Sequence, residues 1–147
     1  MKWLVLLSLL AVALVLSFNS FKRPVNMHEL VVGSSDFRVV VARTEKDRVR
    51  GLSGQVMLTG DRGMLFVFET KARHEFWMKD MHFPLDFIWI AGDRVLDITE
   101  NVPVYDAQGK ISRVRPSVEV DKVLEVKAGT VKRNGIRIGD VVVMDII

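Results

Sequence analysis

The sequence contains no cysteine. Disulfide scaffolds and thiolate zinc sites are excluded, and any folded domain must be held by its core alone, which ~120 residues can manage. A surplus of positive charge is also missing from most of the chain. The formal net charge is +3, but Lys2, Lys22 and Arg23 precede the first acid, Glu29, and the remainder carries 18 residues of each sign. A nucleic-acid footprint needs a clustered basic face. The densest candidate, Lys110 with Arg113 and Arg115, is too small to supply one, so no nucleic-acid partner is expected. There is no Gly-rich phosphate loop, no G-x-S-x-G elbow and no H-E-x-x-H pair. His74, Asp80 and His82 offer nitrogen and oxygen ligands, but the two histidines would stand about 26 Å apart on one strand. His28 falls in the linker region and adds no ligand. No metal and no other cofactor is expected. Internal repeats, low-complexity stretches and strands alternating with long helices are absent too, which argues against a doubly wound α/β fold.

What the sequence does have is apolar length at its start. An apolar run from Trp3 to Leu16 is broken only by Ser8, with Lys2 before it and Lys22 and Arg23 after it. A cationic start followed by such a run matches a secretory leader. It is short of the ~20 residues of a comfortable membrane span. No A-x-A cleavage site occurs; Val15 and Ser17 could stand at the −3 and −1 positions. With no polar face to show water, a buried core helix is the weakest reading. Residues 1–24 are expected to be a hydrophobic helix serving as signal peptide or uncleaved anchor, and both readings stay open. Residues 25–147 are expected to form a single β-rich domain that is exported: periplasmic or extracellular, or held at a membrane through the N-terminal segment and facing outward.

Within that domain, residues 28–33 and 37–42 are β-branched runs around a Gly33-Ser-Ser-Asp36 turn. Thr44 to Asp47 has capping-box-like spacing and predicts a short helix from Glu45 to Gly51. Strands are expected at 64–68, 75–81 and 123–126, with a loop at 60–63. A hairpin is expected over 85–98 around Gly92-Asp93, and a second over 136–147 around Gly139-Asp140. The stretch 101–116 reads as a long irregular loop, and 129–135 as one helical turn. The fold class is mostly β: a compact antiparallel sandwich or barrel with one or two short helices.

Several motifs run in a fixed order: Arg48-x-x-Gly51-Leu52, Gly63-Met-Leu-Phe66, Phe76-Trp-Met-Lys79, Pro84-Leu-Asp86, Val123-Leu-Glu125 with Ala128-Gly129, and Gly135-Ile136-x-x-Gly139-Asp140. In this combination the chain, from about Glu29 onward, resembles the uncharacterised domain-of-unknown-function family 192. The family's usual Asn-Thr after the lysine is here Asp80-Met81, and a frequent Met after Gly-Leu is here Ser53. The resemblance implies a compact β domain, often behind a signal or anchor segment, and implies no activity.

The candidate chemistry rests on few residues. Asp86 lies in Phe83-Pro-Leu-Asp-Phe-Ile-Trp-Ile90 and shares a strand face with Ile88 and Ile90. A carboxylate there needs a partner or stays protonated. Arg48 is the first-choice partner and Lys79 the second; main-chain amides would also serve. Glu125 is flanked by Leu124 and Val126. Asp86 and Glu125 could be an acid/base pair in a cleft, or each could simply be bonded in the scaffold. Trp77 and Lys79 share a face and could stack a ring and hold an anion, or Trp77 could be core. Phe66, Phe76, Leu85, Ile88 and Leu124 are expected in the core. Three functions remain open. One is a binding or interaction module for a small ligand, glycan or envelope partner, using Trp77, Lys79, Asp86 and Arg48. Another is a hydrolase or isomerase using Asp86 and Glu125. The last is a structural envelope protein without a pocket.

Overall fold

The structure, a computed structural model, describes residues 26–144. The hydrophobic helix expected near the N-terminus lies outside the described residues, as do residues 145–147. No helix among the described residues is long and apolar enough to cross a membrane.

Among the described residues the structure is mostly β, with half of them in strand. Met27–Val32 (β1) and Ser35–Ala42 (β2) form the expected antiparallel pair. Thr44 then caps Glu45–Arg50 (α1). Its hydroxyl accepts from the Asp47 N–H at 3.1 Å and donates to the Asp47 carboxylate at 2.6 Å. Asp47 thus closes onto the threonine side chain, where the longer glutamate of a full capping box would reach its main-chain N–H. Residues 51–61 cross over to Arg62–Ala72 (β3), which pairs parallel with β2. Among the described residues this is the one parallel pair, and it puts α1 and its crossover against the sheet. Leu85–Ala91 (β5), Arg94–Val102 (β6) and Val120–Lys127 (β8) follow, with Thr130–Asn134 (α2) and Val142–Met144 (β9) at the end. Phe76–Trp77 (β4) and Arg113–Val114 (β7) make a separate two-stranded pair. The main sheet runs β6-β5-β8-β3-β2-β1-β9.

This single sheet is curled into a half-barrel with two short helices, not a two-sheet sandwich. Its two outer strands approach each other at one end. Arg94 bridges Val141, Val95 N–H donates to the Asp140 carbonyl at 3.0 Å, and Val142 N–H donates to the Asp93 carbonyl at 2.8 Å. The second hairpin expected over 136–147 does not form. Residues 136–141 turn back to meet β6, and β9 pairs with β1. The strand expected over 75–81 shrinks to Phe76–Trp77. Asp80 lies in the left-handed region at φ 57°, which ends any extended run. The loop expected at 60–63 is shorter, since β3 already starts at Arg62.

Alternation along the strands divides the core in two. The inner face of the curl holds Leu30, Phe37, Leu65, Ile88, Leu124 and Val142, closed by Val131 and Ile136 around α2. The outer face holds Met64, Phe66, Phe87, Trp89 and Val123, covered by Leu52, Leu58, Met78 and Met81. Phe66, Leu85, Ile88 and Leu124 are buried as expected; Phe76 is half-buried against the outer cluster.

Candidate functional site

The sheet register decides which candidate residues can act together. Asp86 stands opposite Val126, and Phe87 stands opposite Glu125. Residues opposite each other on paired strands share a face. Asp86 therefore points into the curl and Glu125 points out of it. The expected acid/base pair is corrected: the two carboxylates lie on opposite faces of one sheet and cannot flank one substrate.

Asp86 is fully buried. Its carboxylate accepts from the Asn101 N–H at 2.7 Å and from the Val131 N–H, in the first turn of α2, at 3.0 Å. Both acceptors serve main-chain donors, so the side chain ties the end of β6 and the start of α2 to β5. The expected Arg48 partner is also corrected. Arg48 lies with α1 against the outer face, where Nη1 donates to the carbonyls of Arg43 and Val67, the latter at 3.1 Å. Its guanidinium carbon stands 5.1 Å from the centre of the Phe68 ring.

The outer face contains a cavity of 260 Å³ between α1, β3 and the segment from His74 to Trp77. Its walls are mainly apolar: Leu52, Phe66, Phe68, Phe76, Met81 and Leu85. Phe76 is the hub, edge-to-face with Phe66 at 4.9 Å, Trp89 at 5.7 Å and Phe87 at 5.8 Å. His74 stacks on Phe68 at 3.6 Å. Of the polar side chains that line the cavity, Glu125 alone is buried. It lies between Met64 and Phe87 on the neighbouring strands. Burial raises its carboxyl pKa from 4.5 to about 8, with no bonded donor or nearby cation to oppose the shift. Glu125 is therefore a neutral acid at pH 7, able to donate one hydrogen bond and to accept others.

Trp77 is at the mouth, not in the core, and 46% of it is exposed. Lys79 does sit beside it as the alternation implied, its ammonium 5.9 Å from the ring centre; Arg113 approaches the same ring at 5.2 Å. Arg113 also pairs with Glu75. The structure thus brings Arg48, Trp77 and Glu125 to one cavity, with Lys79 at its edge, and leaves Asp86 behind the sheet. Sequence reasoning missed Phe66 and Phe76 as walls, and His74 as part of a stack. Their apolar alternation was visible, but the cavity over them depends on the crossover. Of the three positions that depart from the family pattern, Ser53 and Met81 line it and Asp80 does not. Among the described residues, no three His, Asp or Glu side chains are grouped to hold a metal ion.

A family model described as an uncharacterized ACR, domain-of-unknown-function family 192, matches residues 28–144. No match was found among curated proteins. Two solved structures are similar. One is a candidate transcription regulator from Sinorhizobium meliloti 1021, at TM-score 0.74 and 29% identity, covering 84% of this chain and 97% of that one. The other is a protein of unknown function from Novosphingobium aromaticivorans DSM 12444, at TM-score 0.73 and 28% identity, covering 82% and 89%.

Proposed function

Because the chain belongs to domain-of-unknown-function family 192, whose description carries no activity, its role must come from its own site, and we propose that it is a binding module for a small organic molecule. The observation that carries this reading is the aromatic-walled cavity ending on a buried, neutral Glu125. An apolar pocket with few convergent polar groups and one strongly perturbed acid is the general form of a small-molecule site. The rival reading as a pocketless structural protein loses its main support, since a cavity is open and the Arg48–Asp86 pair does not form. We also propose an exported or membrane-anchored setting, supported by the leader-like pattern of residues 1–24 alone.

A fragment library screened against the full-length chain by ligand-observed NMR tests the binding reading, with the fluorescence change that Trp77→Phe abolishes as the local reporter, since Trp3 and Trp89 also emit. Val49 lines the mouth and is exposed, so Val49→Trp narrows the entrance without entering the core. Expected are fragments that perturb Trp77 and lose affinity in Val49→Trp. Binders indifferent to that change would put the site elsewhere.

A second reading is favoured by one observation. A lone acid with a pKa of about 8 sits near neutrality, where a general acid or base is most effective. In that case Glu125 works without a carboxylate partner, and Glu125→Gln would keep ligand binding while abolishing turnover.

A further inference from the structure

Arg48 is held by neutral groups. Its Nη1 donates to two main-chain carbonyls and its guanidinium lies over Phe68. A guanidinium has five N–H donors, and these bonds involve one nitrogen. Among the described residues no carboxylate lies within ion-pair distance of it. An arginine fixed in place, lining a cavity and lacking an anionic partner is preorganised for a planar anion. Glu125, at the buried wall of the same cavity, is not within ion-pair distance of it. Arginine and acid are therefore two distinct polar points of one cavity.

The rim disfavours a cationic ligand. Its aromatic faces already carry cations: Arg48 on Phe68, and Lys79 and Arg113 on Trp77. Of the rim acids, Glu75 is paired with Arg113, and Glu45 is exposed on the first turn of α1. The inner walls, Leu52, Phe66, Phe76, Met81 and Leu85, offer a flat apolar ring more contact than a polyhydroxylated one. Size sets the remaining limit. The volume of 260 Å³ lies just below the usual range for ligand pockets, ~300–1,000 Å³, which suits a single ring.

We infer that the ligand is a small planar carboxylate, its acid group on Arg48, its ring against the wall that Phe66 and Phe76 form together, and an uncharged hydroxyl or carbonyl oxygen directed at Glu125. This inference rests on the small-ligand reading and narrows it. A neutral Glu125 suits it on two counts: the acid can bond an uncharged oxygen, and it does not repel the anion.

The test uses the full-length chain and three probes of matched size, para-hydroxybenzoate, para-hydroxybenzamide and para-hydroxybenzylamine, titrated by NMR with Trp77 fluorescence in parallel. The carboxylate should bind about tenfold or more tightly than the amide, as a bidentate charged contact implies, and the amine most weakly. Arg48→Met should bring the carboxylate-to-amide ratio to about one. Arg48→Lys keeps the charge without the fork and should give an intermediate ratio, which preserves the test if Arg48→Met does not fold. Equal affinity for carboxylate and amide, or tightest binding of the amine, overturns the ligand class and leaves the small-ligand reading standing. The same holds if other library fragments bind at Trp77 and all three probes do not. If no compound of any charge binds at Trp77, both readings fall.

Discussion

Asp86 is fully buried and accepts two main-chain N–H groups; Glu125, on the neighbouring strand, is almost as buried, and burial alone sets its ionisation. Different consequences follow for each. Asp86→Asn exchanges one acceptor for a donor, so either the Asn101 or the Val131 N–H faces an amide NH2. A loss of about 1–3 kcal/mol is expected, read from urea denaturation. Combined with Arg48→Met the losses should add to within about 0.5 kcal/mol, because the residues lie on opposite faces; strong coupling would contradict the register. For Glu125 the sign runs the other way. Its folded pKa, about 8, lies above the ordinary 4.5, so the folded chain holds a proton that the unfolded chain releases between those values. Stability falls as pH rises through that window and levels off beyond it, by up to a few kcal/mol at ~1.4 kcal/mol per unit. Glu125→Gln removes the titration, so its advantage over the native chain should be greater at about pH 9 than at about pH 5. Denaturation at both pH values checks this, and a pH-independent difference would refute it. The burial of both acids was legible, since each stands among apolar strand neighbours. Their partners were not: the amides that reach Asp86 come from residues 15 and 45 positions away, and only the pairing of β5 with β8 separates the two faces.

At the scale of elements, the strand signals were legible where apolar and β-branched residues run unbroken, as in β1, β2, β5 and β8. They failed where a strand depends on distant backbone. Residues 75–81 alternate well enough for a strand, yet Asp80 is left-handed and its carbonyl accepts from the Gly54 N–H at 2.9 Å. The Lys79 carbonyl accepts from the Ser53 hydroxyl at 3.1 Å. These bonds fasten the end of the segment, beyond the short β4–β7 pair, to the crossover, and so shape the cavity mouth. The parallel pairing of β2 with β3 was likewise invisible, because the crossover carries no long helix to announce it. Gly63, which the family pattern places before Met-Leu-Phe, has a local reason. A Cβ there would stand 2.7 Å from the Glu125 carbonyl oxygen and 3.0 Å from a Leu124 methyl. Main chain cannot yield as a side-chain end can, so β3 and β8 would have to part. Gly63→Ala should cost about 1–3 kcal/mol, seen as a lower Tm; an unchanged Tm would mean that the strands are not so closely set.

For the whole molecule, composition and turn spacing indicated one β domain, but not its shape. A sandwich, a barrel and a half-barrel share the same alternation. The choice is made by which edges meet, and here Arg94 meets Val141 across the ends of a single sheet. Both faces of that sheet carry a core among the described residues, so a fragment of residues 26–147 should fold without the apolar N-terminal segment. Far-UV circular dichroism should show β structure and heating a cooperative transition; an insoluble or non-cooperative fragment would make that segment part of the core. The pairing of β1 with β9 reaches beyond stability, to the order in which the chain is made. A ribosome releases β1 first and β9 last. Until then β1 offers an open hydrogen-bonding edge, and Val142 is missing from the inner core. Completion of the inner core therefore waits on β9. A partly released chain exposes that edge and that gap together, and pairing with β9 removes both at once.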